Sequence, residues 1–126
     1  MRFFDMAKKV LIVEDYADVR AMMKFLVRRY GYEVFEAADG YEAVAQARIC
    51  QPDLILMDLA MPMLDGLTAT AIIKTIEELE NVPIIALSAY GDTNYKRAID
   101  AGCDAVINKP LDFSTLEPFL KKYLAH

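Results

Sequence analysis

Five short apolar runs, each followed by a longer segment, constrain this chain more than any other feature of its 126 residues. They are Lys9-Val10-Leu11-Ile12-Val13, Glu33-Val34-Phe35-Glu36-Ala37, Leu54-Ile55-Leu56-Met57-Asp58, Pro83-Ile84-Ile85-Ala86-Leu87-Ser88-Ala89 and Ala105-Val106-Ile107-Asn108. Apolar runs this short, bounded by turn signals, read as buried strands. Between them apolar residues recur at helical spacing, as in Val19, Met22, Met23, Leu26, Val27 and Tyr30. Strand alternating with helix predicts an α/β domain whose parallel sheet is covered on both faces, with right-handed crossovers.

The punctuation places the helices. Asp15 or Asp18 is the expected N-cap of the first, and Gly31 its stop. Asp39-Gly40 turns the chain into a second helix over 41–50, with Ala43, Val44 and Ala47 inward and Pro52 beyond its end. Asp65-Gly66 opens a third that reaches to about Leu79, and its acidic tail, Glu77 to Asn81, reads as a solvated loop. A fourth, over 93–101, is poor in large apolar residues apart from Tyr95 and Ile99 and is closed by Gly102. Phe113, Leu116, Phe119, Leu120, Tyr123 and Leu124 make the last helix amphipathic, with Pro118 a mild blemish near its start. Residues 7–126 are expected to form one domain behind an irregular lead-in over 1–6, without a linker, a repeat or a second domain.

A net charge of -5 argues against direct binding of nucleic acid or an acidic membrane, since no basic excess offsets phosphate repulsion. No apolar run approaches the roughly 18 residues of a membrane helix, and no signal peptide precedes the first strand. Cys50 and Cys103 show neither CxxC nor metal-ligand spacing and are expected as reduced, half-buried thiols of a cytoplasmic protein.

In an open α/β sheet, ligands bind at the carboxyl ends of the strands. The groups collected there are Glu14 and Asp15 from the first strand, Asp58 from the third, Ser88 from the fourth and Lys109 after the fifth. Unit charges about 4 Å apart at an effective dielectric near 20 repel by roughly 4 kcal/mol. Either one carboxylate is therefore protonated or a cation sits among them, and a hard ion such as Mg²⁺ suits few carboxylates with several waters. Asp18 and Asp65 read instead as a solvated rim. With the Ser88 hydroxyl and the Lys109 ammonium added, the set describes a pocket for a phosphoryl group on a carboxylate, with Asp58 as nucleophile.

These motifs, Val13-Glu14-Asp15, Ala38-Asp39-Gly40-Tyr41-Glu42-Ala43, Asp58-Leu59-Ala60-Met61-Pro62 with Asp65-Gly66, Leu87-Ser88-Ala89 and Lys109-Pro110, resemble the receiver domain of two-component response regulators from Lys8 to Leu124. The resemblance implies a flavodoxin-like fold with strand order 2-1-3-4-5 and an Asp58 that takes a phosphoryl group from a phosphohistidine of a sensor kinase or histidine phosphotransfer protein. It implies Mg²⁺ held through Asp15, Asp58, the backbone carbonyl of Ala60 and water at Glu14, and a Lys109-Pro110 bond that is typically cis. A domain of this kind catalyses only its own phosphorylation and dephosphorylation. Output is then by contact with a downstream protein, through the face of the fourth helix, fifth strand and fifth helix.

One position departs from the family pattern. Val106 stands where the family commonly carries Tyr or Phe, so an inward ring movement is unavailable there. The signal is expected to pass through the loop after Ser88 and the sparsely apolar fourth helix, with Tyr90 a candidate replacement, and Tyr90 and Ala60 are expected to flank the path of attacking water. A flavin-binding flavodoxin fits less well, because Glu14-Asp15 repels a phosphate in the first loop. No GxGxxG follows the first strand, and an Asp-nucleophile phosphatase would carry its nucleophile there. The competing class is a receiver-shaped adaptor that docks partners irrespective of phosphorylation.

Overall fold

The computed structural model describes residues 7–61, 63–89 and 95–124. Its strands are β1 (Lys9–Val13), β2 (Glu33–Ala37), β3 (Leu54–Asp58), β4 (Ile84–Ser88) and β5 (Ala105–Asn108). They form one parallel sheet in the order β2-β1-β3-β4-β5. The helices are α1 (Ala17–Arg29), α2 (Gly40–Cys50), α3 (Gly66–Lys74), α4 (Tyr95–Ala101) and α5 (Phe113–Leu124). The order is the one the resemblance implied, and the Lys109-Pro110 bond is cis.

Side chains alternate across the sheet and divide the core in two. Leu11, Val13, Ile55, Met57, Ile84 and Ala86 face α2, α3 and α4, where they meet Ala43, Ala47, Ala69, Ile73 and Ala98. Val10, Ile12, Leu54, Leu56, Ile85, Leu87 and Ile107 face α1 and α5, against Met23, Leu26, Val27, Leu116, Leu120 and Leu124. Every residue of β3 and β4 is buried. Each large aliphatic side chain buried in this way contributes about 1.5–3 kcal/mol of transfer free energy. The central strands are thus rigid mounts for whatever their last residues carry.

Several local expectations change. The N-cap of α1 is Tyr16, whose side chain caps nothing, rather than Asp15 or Asp18. Asp15 is drawn toward Glu14 and Asp58 instead, and Asp18 lies within the first turn, where its charge favours the helix dipole. Helix α3 stops at Lys74 and a single 3-10 turn follows at Glu77–Leu79. That turn drops Leu79, fully buried, into the α2–α4 side of the core, so the acidic tail is anchored rather than a free loop. In α4 Tyr95 and Ile99 lie on the surface, and Ala98 is the buried residue; Thr93 and Asn94 lie outside the described residues.

Pro118 is the sixth residue of α5 rather than near its start, and it is exposed. The N–H it lacks is therefore missing on the solvent side, and the helix runs on. Both cysteines are free and buried, more deeply than expected. Among the described residues no helix is long and apolar enough to cross a membrane.

Candidate functional site

The carboxyl edge of the sheet gathers the predicted side chains. Asp58 is the last residue of β3 and is 1% exposed. Leu59 continues the ladder by donating its N–H to the Leu87 carbonyl at 3.1 Å, which holds the strand end flat against β4. Gly66 packs behind it: a side-chain carbon there would run into the carbonyl oxygen of Asp58 and the Cα of Leu59. The loop can thus close on the acidic residue only because position 66 has no Cβ. Asp65, just before it, caps α3 by accepting the Thr68 N–H at 2.8 Å, and Asp18 is exposed on α1, so neither joins the crevice.

Glu14 follows β1 directly, and its N–H still donates along the ladder to the Ala37 carbonyl at 3.1 Å. Its side chain is fully buried. One carboxylate oxygen accepts the Tyr16 N–H at 3.1 Å, and the other lies 3.4 Å from the Lys109 Nζ. Lys109 also reaches the Oδ1 of Asp58 at 3.1 Å, where that oxygen accepts the Ala60 N–H at 3.1 Å as well. The backbone N–H of Lys109 donates to the Ser88 carbonyl at 2.7 Å, which ties the base of the lysine to the end of β4.

Glu14, Asp15 and Asp58 each bring a carboxylate oxygen within 4.8 Å of the others. Burial, the largest cause, and the charge of Asp58 push the Glu14 carboxyl up to about 7, against the opposing Tyr16 N–H. For Lys109 burial pulls downward, but the hydrogen bond and charge of Asp58 and the charge of Glu14 outweigh it and raise the ammonium's pKa. The site is therefore short of positive charge even with its lysine in place. Among the described residues, two buried oxygens, Oδ1 of Asp15 and Oγ of Ser88, have no hydrogen-bond partner. Leaving such groups unpaired costs about 1–3 kcal/mol each, which argues for a ligand that completes them. A divalent cation fits the first and a phosphoryl oxygen the second.

A groove of about 500 Å³ opens here, lined by Glu14 and Lys109 together with Tyr16, Met22, Leu87, Ala89 and Pro110. Val106 lies on β5 opposite Ala86 and packs, half-buried, into the α2–α4 side of the core. Tyr90 lies outside the described residues. Sequence reasoning missed one supporting residue and the role of another. Arg20 donates to the Glu14 carbonyl at 2.7 Å and to Glu36 at 3.2 Å, a role that no local pattern announces. Gly66 was read as part of a helix opening and of the family motif, but not for its close approach to Asp58 and Leu59.

A doubly wound parallel sheet in this strand order, with an acidic crevice at its carboxyl edge, defines an α/β domain of the flavodoxin-like class. Residues 10–121 match the family model described as the response regulator receiver domain, and the chain belongs to that family. It is 38% identical, over 94% of its length and 98% of the relative's, to the polar-differentiation response regulator DivK of Brucella ovis. It is similar to the crystal structure of the receiver domain of the sensor histidine kinase PA1611 from Pseudomonas aeruginosa, which has a magnesium ion coordinated in its active site cleft. That match has a TM-score of 0.87 and 33% identity over 95% of this chain and 99% of that one. It also resembles a chain of the co-crystal structure of the Saccharomyces cerevisiae histidine phosphotransfer signalling protein Ypd1 with the receiver domain of its downstream response regulator Ssk1. There the TM-score is 0.85, with 27% identity over 93% of this chain and 88% of that chain.

Proposed function

We propose that this receiver domain accepts a phosphoryl group on Asp58 from a phosphohistidine of a sensor kinase or histidine phosphotransfer protein, in the cytoplasm, and signals by contact with a downstream protein. An Asp58 carboxylate oxygen attacks phosphorus, the P–N bond breaks, its electron pair returns to the imidazole, and an acyl phosphate forms on Asp58. Lys109, held charged by Asp58 and Glu14, faces the anionic group that forms, and the Ser88 hydroxyl donates to one of its oxygens. Asp15, Asp58, Glu14 and the Ala60 carbonyl would hold Mg²⁺. When bound, the ion supplies the positive charge that three crowded carboxylates and a phosphoryl group require.

The observation that carries this reading is the pair of orphaned buried oxygens at a crowded acidic site, one suited to a cation and one to a phosphoryl oxygen. Magnesium in the cleft of the PA1611 receiver and the pairing of Ssk1 with Ypd1 support it. The test is incubation with Mg²⁺ and a small phosphodonor, read by intact mass and peptide mapping. One phosphoryl group is expected on Asp58, and none on Asp58→Asn. A folded wild-type chain that takes up no phosphoryl group would overturn the proposal and favour a phosphorylation-independent adaptor.

A further inference from the structure

Two cationic side chains attach to the residues of the acidic crevice, and they are used differently. Lys109 reaches the carboxylates of Glu14 and Asp58 directly. Arg20, on α1, pairs among the described residues with Glu36 and with none of the three crowded carboxylates. Its Nη1 donates instead to the backbone carbonyl of Glu14 at 2.7 Å, while its Nε donates to Glu36 at 3.2 Å. A guanidinium beside unneutralised acids is thus spent on a main-chain oxygen.

The way β1 ends accounts for this. The strand stops at Val13, and among the described residues no backbone N–H outside the regular elements donates to the Glu14 carbonyl. The N–H of Glu14, by contrast, is still held by the Ala37 carbonyl of β2. Arg20 supplies the missing donor, and a charge-assisted bond is roughly twice as strong as a neutral one. The carbonyl belongs to the rigid peptide plane that leads into Asp15. Holding its oxygen therefore sets the direction in which the chain enters Asp15. The Oδ1 of Asp15 has no hydrogen-bond partner among the described residues, so its aim depends on the backbone that carries it.

Arg20 is itself held. Glu36 lies on β2 opposite Ile12, and its second carboxylate oxygen accepts the Lys24 Nζ at 3.0 Å. The Arg20 side chain is only 20% exposed, so water competes little for its donors. A planar guanidinium offers N–H groups in fixed directions and can span a carbonyl and a carboxylate at once, which a lysine ammonium does with less definition. The edge strand β2 thus grips the acidic pair through successive residues, Glu36 by way of Arg20 and Ala37 directly. We propose that Arg20, braced by Glu36, is a positioning residue for the cation site: it fixes the Glu14–Asp15 peptide so that the Asp15 carboxylate stays close to those of Asp58 and Glu14. This rests on the Mg²⁺ site proposed above and deepens it.

Calorimetric titration of the folded chain with Mg²⁺ tests it, because position and charge predict opposite signs. Removing a cation from beside the site would by charge alone strengthen Mg²⁺ binding. Arg20→Met is expected to weaken it about tenfold, the scale on which residues that orient metal ligands act. Arg20→Lys keeps the charge and loses the fork, and is expected to weaken binding about threefold. Circular dichroism of both variants confirms the fold, and Arg20→Lys decides if Arg20→Met does not fold. In the metal-free chain the carbonyl ¹³C resonance of Glu14 is expected to shift in Arg20→Met, which a loss of stability alone does not produce. A folded Arg20→Met that binds Mg²⁺ as tightly as wild type or more tightly overturns the inference and leaves the cation site standing. So does an Arg20→Lys chain that binds like wild type, or a Glu14 carbonyl that does not move. A wild type that binds no Mg²⁺ overturns the inference and the cation site together.

Discussion

The two edges of the sheet carry the same kinds of charged residue and use them in opposite ways. At the amino edge, Asp53 stands just before β3 and accepts the Lys9 N–H of β1 at 2.8 Å, while its own N–H donates to the Lys9 carbonyl at 2.8 Å. Asp104 repeats the arrangement before β5: it accepts the Ile84 N–H of β4 at 2.8 Å and donates to the Ile84 carbonyl at 2.8 Å. The nearby lysines are also occupied, Lys9 with the Cys50 carbonyl and Lys74 with the Val82 carbonyl and Asp104. At the carboxyl edge three carboxylates crowd together, Glu14 and Asp58 share one lysine, and among the described residues two buried oxygens go unpaired. The first edge lowers the free energy of the fold, and the second raises it until a ligand arrives. Local rules that hold at one end and fail at the other mark where function sits.

Perturbations at the two edges are therefore expected to move stability in opposite directions. The largest effect is expected from pH in metal-free buffer. Glu14 faces Asp15, Asp58, Lys109 and the Tyr16 N–H, and its carboxyl is raised from 4.5 to about 7. The folded chain then holds a proton that the unfolded chain has released. Stability therefore falls as pH rises from about 4.5 to 7, by up to about 3 kcal/mol in total, and the penalty stays in full above that window. Urea unfolding across this range is expected to show the slope in wild type and a flatter line in Glu14→Gln.

Next comes the amino edge. Asp104→Ala strips the acceptor from the buried N–H of Ile84 and a partner from Lys74, at an expected cost of about 2 kcal/mol in urea unfolding. A change in the reverse direction is expected from Asp15→Asn, which removes one of the crowded charges and gives position 15 an amide that can donate. It should stabilise the metal-free chain by about 1 kcal/mol, visible as a higher midpoint of unfolding.

The smallest effect belongs to Glu36, a paired and half-exposed carboxylate on β2. Its pKa is lowered, foremost by the Lys24 hydrogen bond against some burial, then by the charges of Lys24 and Arg20. Its contribution is present above the unfolded value near 4.5 and is lost as pH falls through the lowered folded one. Because solvent screens this pair, Glu36→Gln is expected to cost only about 0.5 kcal/mol at neutral pH and nothing in acid.

The contrast also explains what could be read from the sequence. Asp58, Ser88 and the Glu14-Asp15 pair each end an apolar run, so the strand pattern alone carried them to one edge, and the sheet order followed from the family resemblance. The amino-edge pairs were invisible, since Lys9 and Asp53 lie 44 residues apart and Lys74 and Asp104 lie 30 apart. Only the parallel register brings them together. Leu79 was misread for a similar reason: its acidic neighbours dominate the local pattern, while its burial depends on a core assembled from distant strands.

The difference between the edges is tested most directly by following unfolding free energy as Mg²⁺ is added to wild type, Asp15→Asn and Asp104→Ala. Binding to the folded state alone raises stability with the logarithm of ligand concentration. Wild type and Asp104→Ala are expected to gain in parallel from their different starting points, while Asp15→Asn, which begins higher, gains little. A wild type that does not respond to the ion, or an Asp15→Asn chain that responds as fully as wild type, would contradict the assignment of the carboxyl edge as a cation site.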